Sequence, residues 1–384
     1  MDAKNKKENG SALTATLLLS VALLICWLAA QDFMKMWKED EVFPVSEFKK
    51  SMLSDYLPKI KDTPLDSAVY IQDSGISGGT VFIMGGTHPN EPSGWLSAVL
   101  FLENAHVNEG RLIILPFAAY SGFRHNFPQE ASPSFINIPT AEGGHRTFRY
   151  GSRDLQHTIM WPTPDIYLHK PSGQELAGVE SKNLNRAYPG DPDGTPAEQI
   201  AFAIMELIRR EKVDLAFDLH EASPEYPVIN AIVAHERSME LAAAATMELQ
   251  VMDLEFSLEP SPVNLRGLSH REWGDYTETM PILMETGNPS QGRLRSRTDE
   301  ALVLTGKDKA YVKARDLGIL FIPYTDGDQP ISLRVARHVT AVCVFMEMLG
   351  LYFDDKAITI EGIPSYEDIM ENGVGMYLKP PAGQ

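Results

Sequence analysis

Side chains that could bind a metal first occur together in the segment GGTHPNEPSG, residues 85–94. His88 and Glu91 lie three residues apart and directly follow a predicted strand, VFIM. Open α/β sheets bind ligands beyond the carboxyl ends of their strands, so this position suits a site. An imidazole nitrogen and a carboxylate oxygen are both common zinc ligands. Two ligands do not define a catalytic site, because catalytic zinc needs three protein ligands and an open position.

A third ligand candidate occurs in the segment DLAFDLHEAS, where His220 ends another apolar run. A histidine alone at a strand end is more often a structural residue than a ligand. Together with His88 and Glu91 it completes a two-histidine, one-carboxylate set, which is typical of catalytic zinc. We therefore predict that these three residues bind one zinc ion per chain.

Two further segments carry polar groups suited to a substrate. Asn185 and Arg186 in NLNRAYPG present an amide and a planar guanidinium, which together can grip a carboxylate. Glu285 in PILMETGNP ends an apolar strand. A buried carboxylate is costly unless it is placed for chemistry, and here it could act as the general base on a metal-activated water.

These features resemble the zinc carboxypeptidase superfamily, and more closely its succinylglutamate desuccinylase/aspartoacylase family. The resemblance runs from about residue 80 to 349, and four motifs carry it in the family's order: HPNE at 88–91, NLNR at 183–186, DLHEAS at 218–223 and METG at 284–287. It implies that His88, Glu91 and His220 bind zinc, that Asn185 and Arg186 hold a substrate carboxylate, and that Glu285 is the catalytic base.

The chain departs from the family pattern at two places. Asn183 stands where the family more often has aspartate. The family also usually has an arginine shortly before the Asn-Arg pair, which polarises the scissile carbonyl. The first arginines upstream here are Arg153 and Arg149, and we expect Arg153 to take that role; the alternative is that both are surface charges on a long loop.

The resemblance implies a zinc-dependent hydrolase that cleaves an amide bond adjacent to a carboxylate. Its substrate would be an N-acyl amino acid, which makes the protein a deacylase, or alternatively a peptide, which makes it a carboxypeptidase. A lesser alternative is a non-catalytic binding module, but such a module typically loses a ligand or the base, and all these positions are filled. The sequence has no Gly-x-Ser-x-Gly elbow, no P-loop and no dinucleotide fingerprint.

The charge and composition of the chain restrict the classes of molecule that it is expected to bind. The 384 residues carry 34 Lys and Arg against 52 Asp and Glu, a net charge of −18. Such a balance repels phosphate backbones, so nucleic acid is not an expected partner. Apolar residues at 43% and charged residues at 22% are typical of a globular chain. Two cysteines, Cys26 and Cys343, cannot form a disulfide framework. The oligomeric state is not predicted.

The pattern of apolar runs and helical periods predicts the elements that must position these residues. Apolar runs predict strands at 69–72, 80–84, 112–117, 213–219, 228–234 and 281–284. Helical periodicity predicts helices at 95–105, 197–210, 235–249 and 331–349. Thr195, Pro196 and Glu198 mark the start of the second of these as a capping box. The alternation favours an α/β fold with a mixed, mainly parallel sheet flanked by helices, as in zinc carboxypeptidases.

An apolar run precedes this domain. Residues 12–30 carry no charge, and 19 residues at 1.5 Å each match a hydrocarbon core of about 30 Å. Lys4, Lys6 and Lys7 precede the run, which favours a cytoplasmic N-terminus, a single-pass anchor and an extracytoplasmic catalytic domain. The alternative is a signal peptide cleaved after Ala29 or Ala30, which yields a secreted protein.

The chain therefore divides into five predicted segments. They are a cytoplasmic tail (1–11), the anchor or signal segment (12–30), a stalk (31–61), the catalytic domain (62–354) and a C-terminal extension (355–384). Within the domain, residues 118–190 lack a long periodic element and are expected to wall a substrate funnel, with a solvated insertion as the alternative. His125 and His145 lie there as possible substrate contacts.

Overall fold

The computed structural model describes residues 2–126, 132–141, 143–324 and 328–381. The chain forms two compact units, Met1–Glu39 and Asp40–Gln384. The first unit is dominated by one helix, α1 (Asp2–Lys35), whose segment Ser11–Lys35 is exposed along its whole length. This segment is long and apolar enough to cross a membrane, and it contains the predicted run 12–30.

The second unit alternates strands and helices. Its strands are β1 (Lys49–Met52), β2 (Ala68–Asp73), β3 (Thr80–Met84), β4 (His106–Glu109), β5 (Arg111–Leu115), β6 (Phe135–Pro139), β7 (His145–Arg149), β8 (Ile166–His169), β9 (Gln174–Ala177), β10 (Leu215–Ala222), β11 (Ala231–Ala234), β12 (Ser257–Pro260), β13 (Met280–Gly287) and β14 (Thr359–Glu361). Its helices are α2 (Pro92–Asn104), α3 (Pro196–Arg210), α4 (Met239–Val251), α5 (Ser269–Tyr276), α6 (Glu300–Thr305), α7 (Lys309–Asp316), α8 (Ile331–Tyr352) and α9 (Tyr366–Asn372).

Eight strands form the central sheet, in the order β1-β2-β5-β3-β10-β13-β11-β12. The neighbours β5, β3, β10 and β13 run parallel, and β11 pairs with β12 in parallel as well. The pairs β1-β2, β2-β5 and β13-β11 are antiparallel. The predicted fold class, α/β with a mixed and mainly parallel sheet, is confirmed.

Both faces of the central strands are buried, which explains their continuous apolar runs. On β3, Val81 and Ile83 belong to a first core, formed with α2, α4 and α8. Phe82 and Met84 belong to a second core on the opposite face, formed with α3 and with Trp273 of α5. Helix α8 is long and apolar because it packs in the first core.

Local signals predicted several elements well. β3 spans Thr80–Met84, as its apolar run predicts. Helix α3 begins after Thr195, whose hydroxyl accepts the Glu198 N–H at 3.3 Å, while the Glu198 carboxylate accepts the Thr195 N–H at 2.7 Å. This is the predicted capping box, and it satisfies backbone N–H groups that the first helical turn leaves unpaired.

The predicted stalk, residues 31–61, differs from the structure after Glu39. Asp40 pairs with Arg149 at 2.9 Å, and strand β1 pairs with β2 at one edge of the sheet. The Phe43 N–H also donates to Glu103 at 3.0 Å. These partners lie far away in sequence, so the mixed local composition of this segment gave no sign of them.

The structure also adds detail to two other predicted segments, the C-terminal extension and residues 118–190. Most of the C-terminal extension is integrated: β14 pairs with β4, and the Lys379 N–H donates to Glu103 at 2.8 Å. In the segment 118–190, two short hairpins occur, β6-β7 and β8-β9. Residues 127–131 and 142 of that segment lie outside the described residues.

Candidate metal and catalytic site

The fold brings the three predicted ligands to one edge of the sheet. β3 and β10 are parallel neighbours, with Met84 opposite Asp218, so their carboxyl ends lie side by side. His88 and Glu91 lie in the turn between β3 and α2, and His220 lies on β10. The turn depends on Gly86, whose φ of +69° is disfavoured for other residues and whose Cα faces the Phe123 ring.

The ligand atoms of these residues converge. His88 Nδ1 lies 2.8 Å from one Glu91 oxygen, and His220 Nδ1 lies 2.9 Å from the other. The two Nδ1 atoms lie 3.1 Å apart. All three side chains are almost fully buried. Two imidazole nitrogens that face each other at this distance need a shared proton or a cation between them.

The donor set fits zinc. Two imidazoles and one carboxylate bind catalytic zinc, with a fourth position left for water or substrate. Within the described residues these three are the group of His, Cys, Asp or Glu side chains whose ligand atoms lie close enough to hold one ion, all within 4.8 Å. The predicted ligands are therefore brought together as a zinc site requires.

The charges of the metal-free site follow from its burial. Burial lowers the pKa of His88 to about 4, so this imidazole is neutral. Burial opposes ionisation of Glu91 and of His220 as well, but it is outweighed by the imidazoles of His88 and His220 beside Glu91, and by the carboxylates of Asp218 and Glu91 beside His220. The pKa of Glu91 is thus well below its usual value. The pKa of His220, which also contacts Asp218, is well above its usual value, so without metal His220 carries a proton.

Zinc binding is therefore expected to release a proton at neutral pH, because the metal needs neutral His220. Since the metal-free pKa of His220 is raised, zinc affinity should increase with pH from acid through neutrality and level off above that pKa. Titration calorimetry of zinc into the metal-free protein, in buffers of different ionisation enthalpy, counts the protons. A count near zero at pH 7 would contradict this account.

The second ring nitrogen of each histidine contacts a further polar side chain. His220 Nε2 lies 2.9 Å from Asp218, which accepts hydrogen bonds from Thr87 at 2.8 Å and Ser269 at 2.5 Å. His88 Nε2 lies 3.0 Å from the Asn183 carbonyl oxygen. Such partners orient ligand rings and tune their basicity. Asn183, the departure from the family's aspartate, thus supplies a neutral partner to His88.

Asp218 is a residue that sequence reasoning missed. It lies two residues before His220 on the same strand, so both side chains lie on one face, and this spacing was the available signal. Burial opposes its ionisation, but His220 and the two hydroxyl donors hold its pKa below the usual value. It is therefore an anion at neutral pH.

Replacing Asp218 by alanine should weaken zinc affinity about 10–100-fold, because the His220 ring loses its orienting anion. The measurement is competition against a chromophoric chelator at fixed pH. Asp193→Ala, which removes an exposed carboxylate, is the control and should leave the affinity unchanged. An affinity in Asp218→Ala equal to that of the control would remove Asp218 from this role.

Glu285 lies beside the ligands. It is the register partner of His220 on the neighbouring strand β13. One of its carboxylate oxygens is buried and accepts no hydrogen bond from the described residues. Burial raises the pKa of Glu285 to about 8, and the nearby Glu91 carboxylate contributes in the same direction. An unpartnered carboxyl group next to a cation site suits a proton acceptor.

The two arginine candidates differ in position. Arg153 places a guanidinium nitrogen 3.1 Å from Glu91 and 3.2 Å from His88 Nδ1, with its side chain 42% exposed. Arg149 is buried and pairs with Asp40 at 2.9 Å. Only Arg153 of the two lines the cavity over the ligands.

Asn185 and Arg186 lie in one short helical turn, Leu184–Arg186. The Asn185 carbonyl oxygen accepts the Ser269 N–H at 2.8 Å, which leaves its amide N–H groups as donors. Arg186 donates to the Asn185 main-chain oxygen at 2.6 Å, and its Nε lies 3.7 Å from Glu180. Both side chains line the same cavity as Arg153.

That cavity has a volume of about 1100 Å³. Six of the seven predicted site residues line the cavity: His88, Glu91, Arg153, Asn185, Arg186 and Glu285. The seventh, His220, does not line it and is buried in contact with Glu91. The segment 118–190 contributes part of the wall, through Arg153, Asp154, Val179, Glu180, Asn183, Asn185 and Arg186. His125 contacts the Asp154 main-chain oxygen at 3.0 Å, and His145 is exposed on β7; neither lines the cavity.

Residues 174–287 match the sequence model of the succinylglutamate desuccinylase/aspartoacylase catalytic domain. This match confirms the resemblance predicted from the motifs, and three of the four motifs, those at 183–186, 218–223 and 284–287, lie within it.

Individual relatives are distant. The N-alpha-acetyl-L-2,4-diaminobutyric acid deacetylase of Halomonas elongata is 22% identical over 211 residues, which are 52% of this chain and 56% of the relative. The chain thus spans about half the length of that relative. The structure of a succinylglutamate desuccinylase from Silicibacter sp. is similar at 19% identity and a TM-score of 0.37, and the match covers 67% of this chain and 62% of the Silicibacter chain. The structure of a metallo-carboxypeptidase from Burkholderia cenocepacia is similar at 10% identity and a TM-score of 0.44, and the match covers 84% of this chain and 69% of the Burkholderia chain.

Proposed function

We propose that this protein is a zinc-dependent hydrolase that cleaves an amide bond adjacent to a carboxylate, acting as an N-acyl amino acid deacylase. The observation that carries the proposal is the convergence of His88, Glu91 and His220 beside Glu285, at the base of one cavity. The match of residues 174–287 to the family model and a deacetylase relative support the same reaction type.

Each residue has a role in this reaction. Asn185 and Arg186 bind the substrate carboxylate, which fixes the amide near the metal ligands. Zinc, held by the two histidines and Glu91, supplies a Lewis acid that polarises water and the carbonyl group. Arg153 donates to the carbonyl oxygen as negative charge develops there.

Glu285 moves the proton. It accepts a proton from the attacking water and returns it to the leaving amine nitrogen as the C–N bond breaks. Its raised pKa suits both steps, because a carboxyl group with a pKa near neutral can take and give a proton with little energetic cost.

The test is amine release by the full chain, purified in detergent and loaded with zinc. The panel pairs N-acyl amino acids with short peptides, and Glu285→Gln serves as the control. Release from N-acyl amino acids that the control lacks would support the proposal. No release from any substrate, with zinc bound at one per chain, would contradict it.

A carboxypeptidase that acts on peptides is the alternative, and the cavity volume favours it. About 1100 Å³ exceeds what a small N-acyl amino acid fills and would admit several residues of a peptide. Release of carboxyl-terminal residues from peptides, without hydrolysis of N-acyl amino acids, would decide for this alternative.

We also propose that α1 anchors the protein as a single-pass helix with the catalytic unit outside the cytoplasm. Its exposed apolar surface and the lysines before it support this topology. The N-terminal sequence of the protein isolated from cells, combined with protease protection of sealed membranes, tests it. A mature chain that begins near Gln31 would instead indicate a cleaved signal peptide.

A further inference from the structure

Among the described residues that line the cavity, three buried apolar side chains belong to no hydrophobic core. Val233, Leu268 and Leu283 are 5%, 5% and 3% exposed. They belong neither to the first nor to the second core, and each lines the cavity above the metal ligands. Buried apolar surface that faces a cavity has no contact partner on that side, and an apolar ligand group would supply one.

The strand geometry fixes this arrangement. On β13, Ile282 and Met284 point into the first core, so Leu283 and Glu285 point to the opposite face, into the cavity. Val233 on β11 is the antiparallel register partner of Leu283, so the two side chains are adjacent on that face. The apolar wall, defined by Val233, Leu268 and Leu283, therefore continues directly from the proposed catalytic base.

The apolar wall also lies against the proposed carboxylate anchors. Gly267, next to Leu268, packs its Cα against the Arg186 main chain so closely that a Cβ would lie 2.2 Å from the Arg186 oxygen. The Tyr188 N–H donates to the Gly267 oxygen at 3.2 Å. The Ser269 N–H donates to Asn185 at 2.8 Å. Residues on both sides of Leu268 are thus bonded to the segment that would hold the substrate carboxylate.

We propose that the substrate's carboxylate-bearing amino acid has an apolar side chain, which packs against Val233, Leu268 and Leu283. The inference rests on the proposed function, because it takes Asn185 and Arg186 as the carboxylate anchors. In an amino acid the carboxylate and the side chain share one carbon, so a pocket beside the anchors receives the side chain rather than the acyl group.

The charged groups that neighbour the apolar wall in sequence or register offer no cation to an acidic side chain, although Arg293 and Arg295 also line the cavity. Arg266, the cation of this loop, does not line the cavity and pairs with Glu272 at 2.7 Å and Asp275 at 2.9 Å. His270 lines the cavity, but burial lowers its pKa to about 3, so it is neutral. Glu259, the register partner of Val233, would repel a second carboxylate.

The experiment compares kcat/KM of the zinc-loaded full chain for N-acetyl derivatives of leucine, methionine and phenylalanine with those of glycine, aspartate and lysine. We expect the apolar substrates to exceed the glycine one by at least about 10-fold, since each methylene in an apolar pocket contributes at least that much. A preference for aspartate or lysine, or equal values for leucine and glycine, would overturn the inference while leaving the deacylase function intact.

Variants locate the effect. Val233→Phe fills the pocket and should lower the ratio of kcat/KM for N-acetylleucine to that for N-acetylglycine about 10-fold or more. Leu283→Thr tests the same wall with a smaller change in volume. The matched control is Val263→Phe, at a 63% exposed valine of the same region that does not line the cavity. An unchanged leucine preference in both wall variants would overturn the inference.

Calorimetry separates this inference from the proposed function. If no N-acetyl amino acid is hydrolysed, the deacylase proposal fails, and binding of free leucine and free aspartate to the zinc-loaded Glu285→Gln variant still tests the pocket. Tighter binding of leucine that Val233→Phe removes would support the inference. Equal binding of the two, or tighter binding of aspartate, would overturn it.

Discussion

Glu285→Gln is expected to reduce kcat about 10²–10⁴-fold with zinc still bound at one per chain. The amide of glutamine keeps the size and most of the shape of the side chain but cannot accept a proton from water or return one to the leaving amine. Glu285 is not among the three converging ligand residues, so the metal content should not change. Amine release at saturating substrate and zinc measured by atomic absorption give the two quantities.

A matched control separates this effect from a general loss of a carboxylate. Glu278→Gln removes an exposed carboxylate that pairs with Arg237 at 2.7 Å, shortly before the same strand β13. It should turn over substrate at the unmodified rate. Near-normal turnover of Glu285→Gln would remove Glu285 from the reaction, and loss of zinc from that variant would show a role in metal binding instead.

Arg334→Met is expected to cost about 3–5 kcal/mol in the free energy of unfolding, because it leaves a buried charge without its partner. Arg334 of α8 and Glu221 of β10 are fully buried, and a guanidinium nitrogen lies 2.5 Å from the carboxylate. Glu221 also accepts hydrogen bonds from the Ser93 N–H at 3.2 Å and from Asn288 at 3.0 Å. Chemical denaturation followed by tryptophan fluorescence measures the loss.

The double variant Arg334→Met with Glu221→Gln tests the cause. Without the carboxylate there is no unpaired charge, so the double variant should be more stable than Arg334→Met alone. Arg337→Met is the control. Arg337 lies on the same helix and, within the described residues, pairs with no acidic side chain, so its replacement should lower the free energy of unfolding much less. A double variant no more stable than Arg334→Met would show that lost packing, rather than the unpaired charge, sets the cost.

The sequence indicated which side chains converge in the structure better than it indicated their surroundings. His88, Glu91, His220 and Glu285 were recognisable because metal ligation and proton transfer restrict the residue types, and because each lies at or just beyond the end of an apolar run. Their outer partners were harder to see. The contact of Asn183 with His88 joins residues 95 positions apart, and no local pattern predicts it.

The same limit applies to the predicted stalk. The segment after Glu39 has a mixed composition because only some of its residues, such as Leu53 and Ile60, are buried, and it is fixed by the Asp40–Arg149 pair and by the pairing of β1 with β2. Sequence periodicity reports which face of an element is apolar, and it does not report which distant element covers that face. The wall residues Val233 and Leu283 show this too, since the apolar runs that contain them predict strands but do not indicate that these two side chains line a cavity.

The pairing of β1 with β2 has a practical consequence for solubility. A chain that begins at Asp62, the predicted start of the catalytic domain, lacks β1 and leaves β2 with a row of unpaired N–H and C=O groups. Exposed strand edges of this kind template association with other chains, and β2 carries the apolar residues Val69, Tyr70 and Ile71. Such a fragment is expected to aggregate, whereas one that begins at Asp40 keeps its edge covered by four residues that carry two lysines, Lys49 and Lys50.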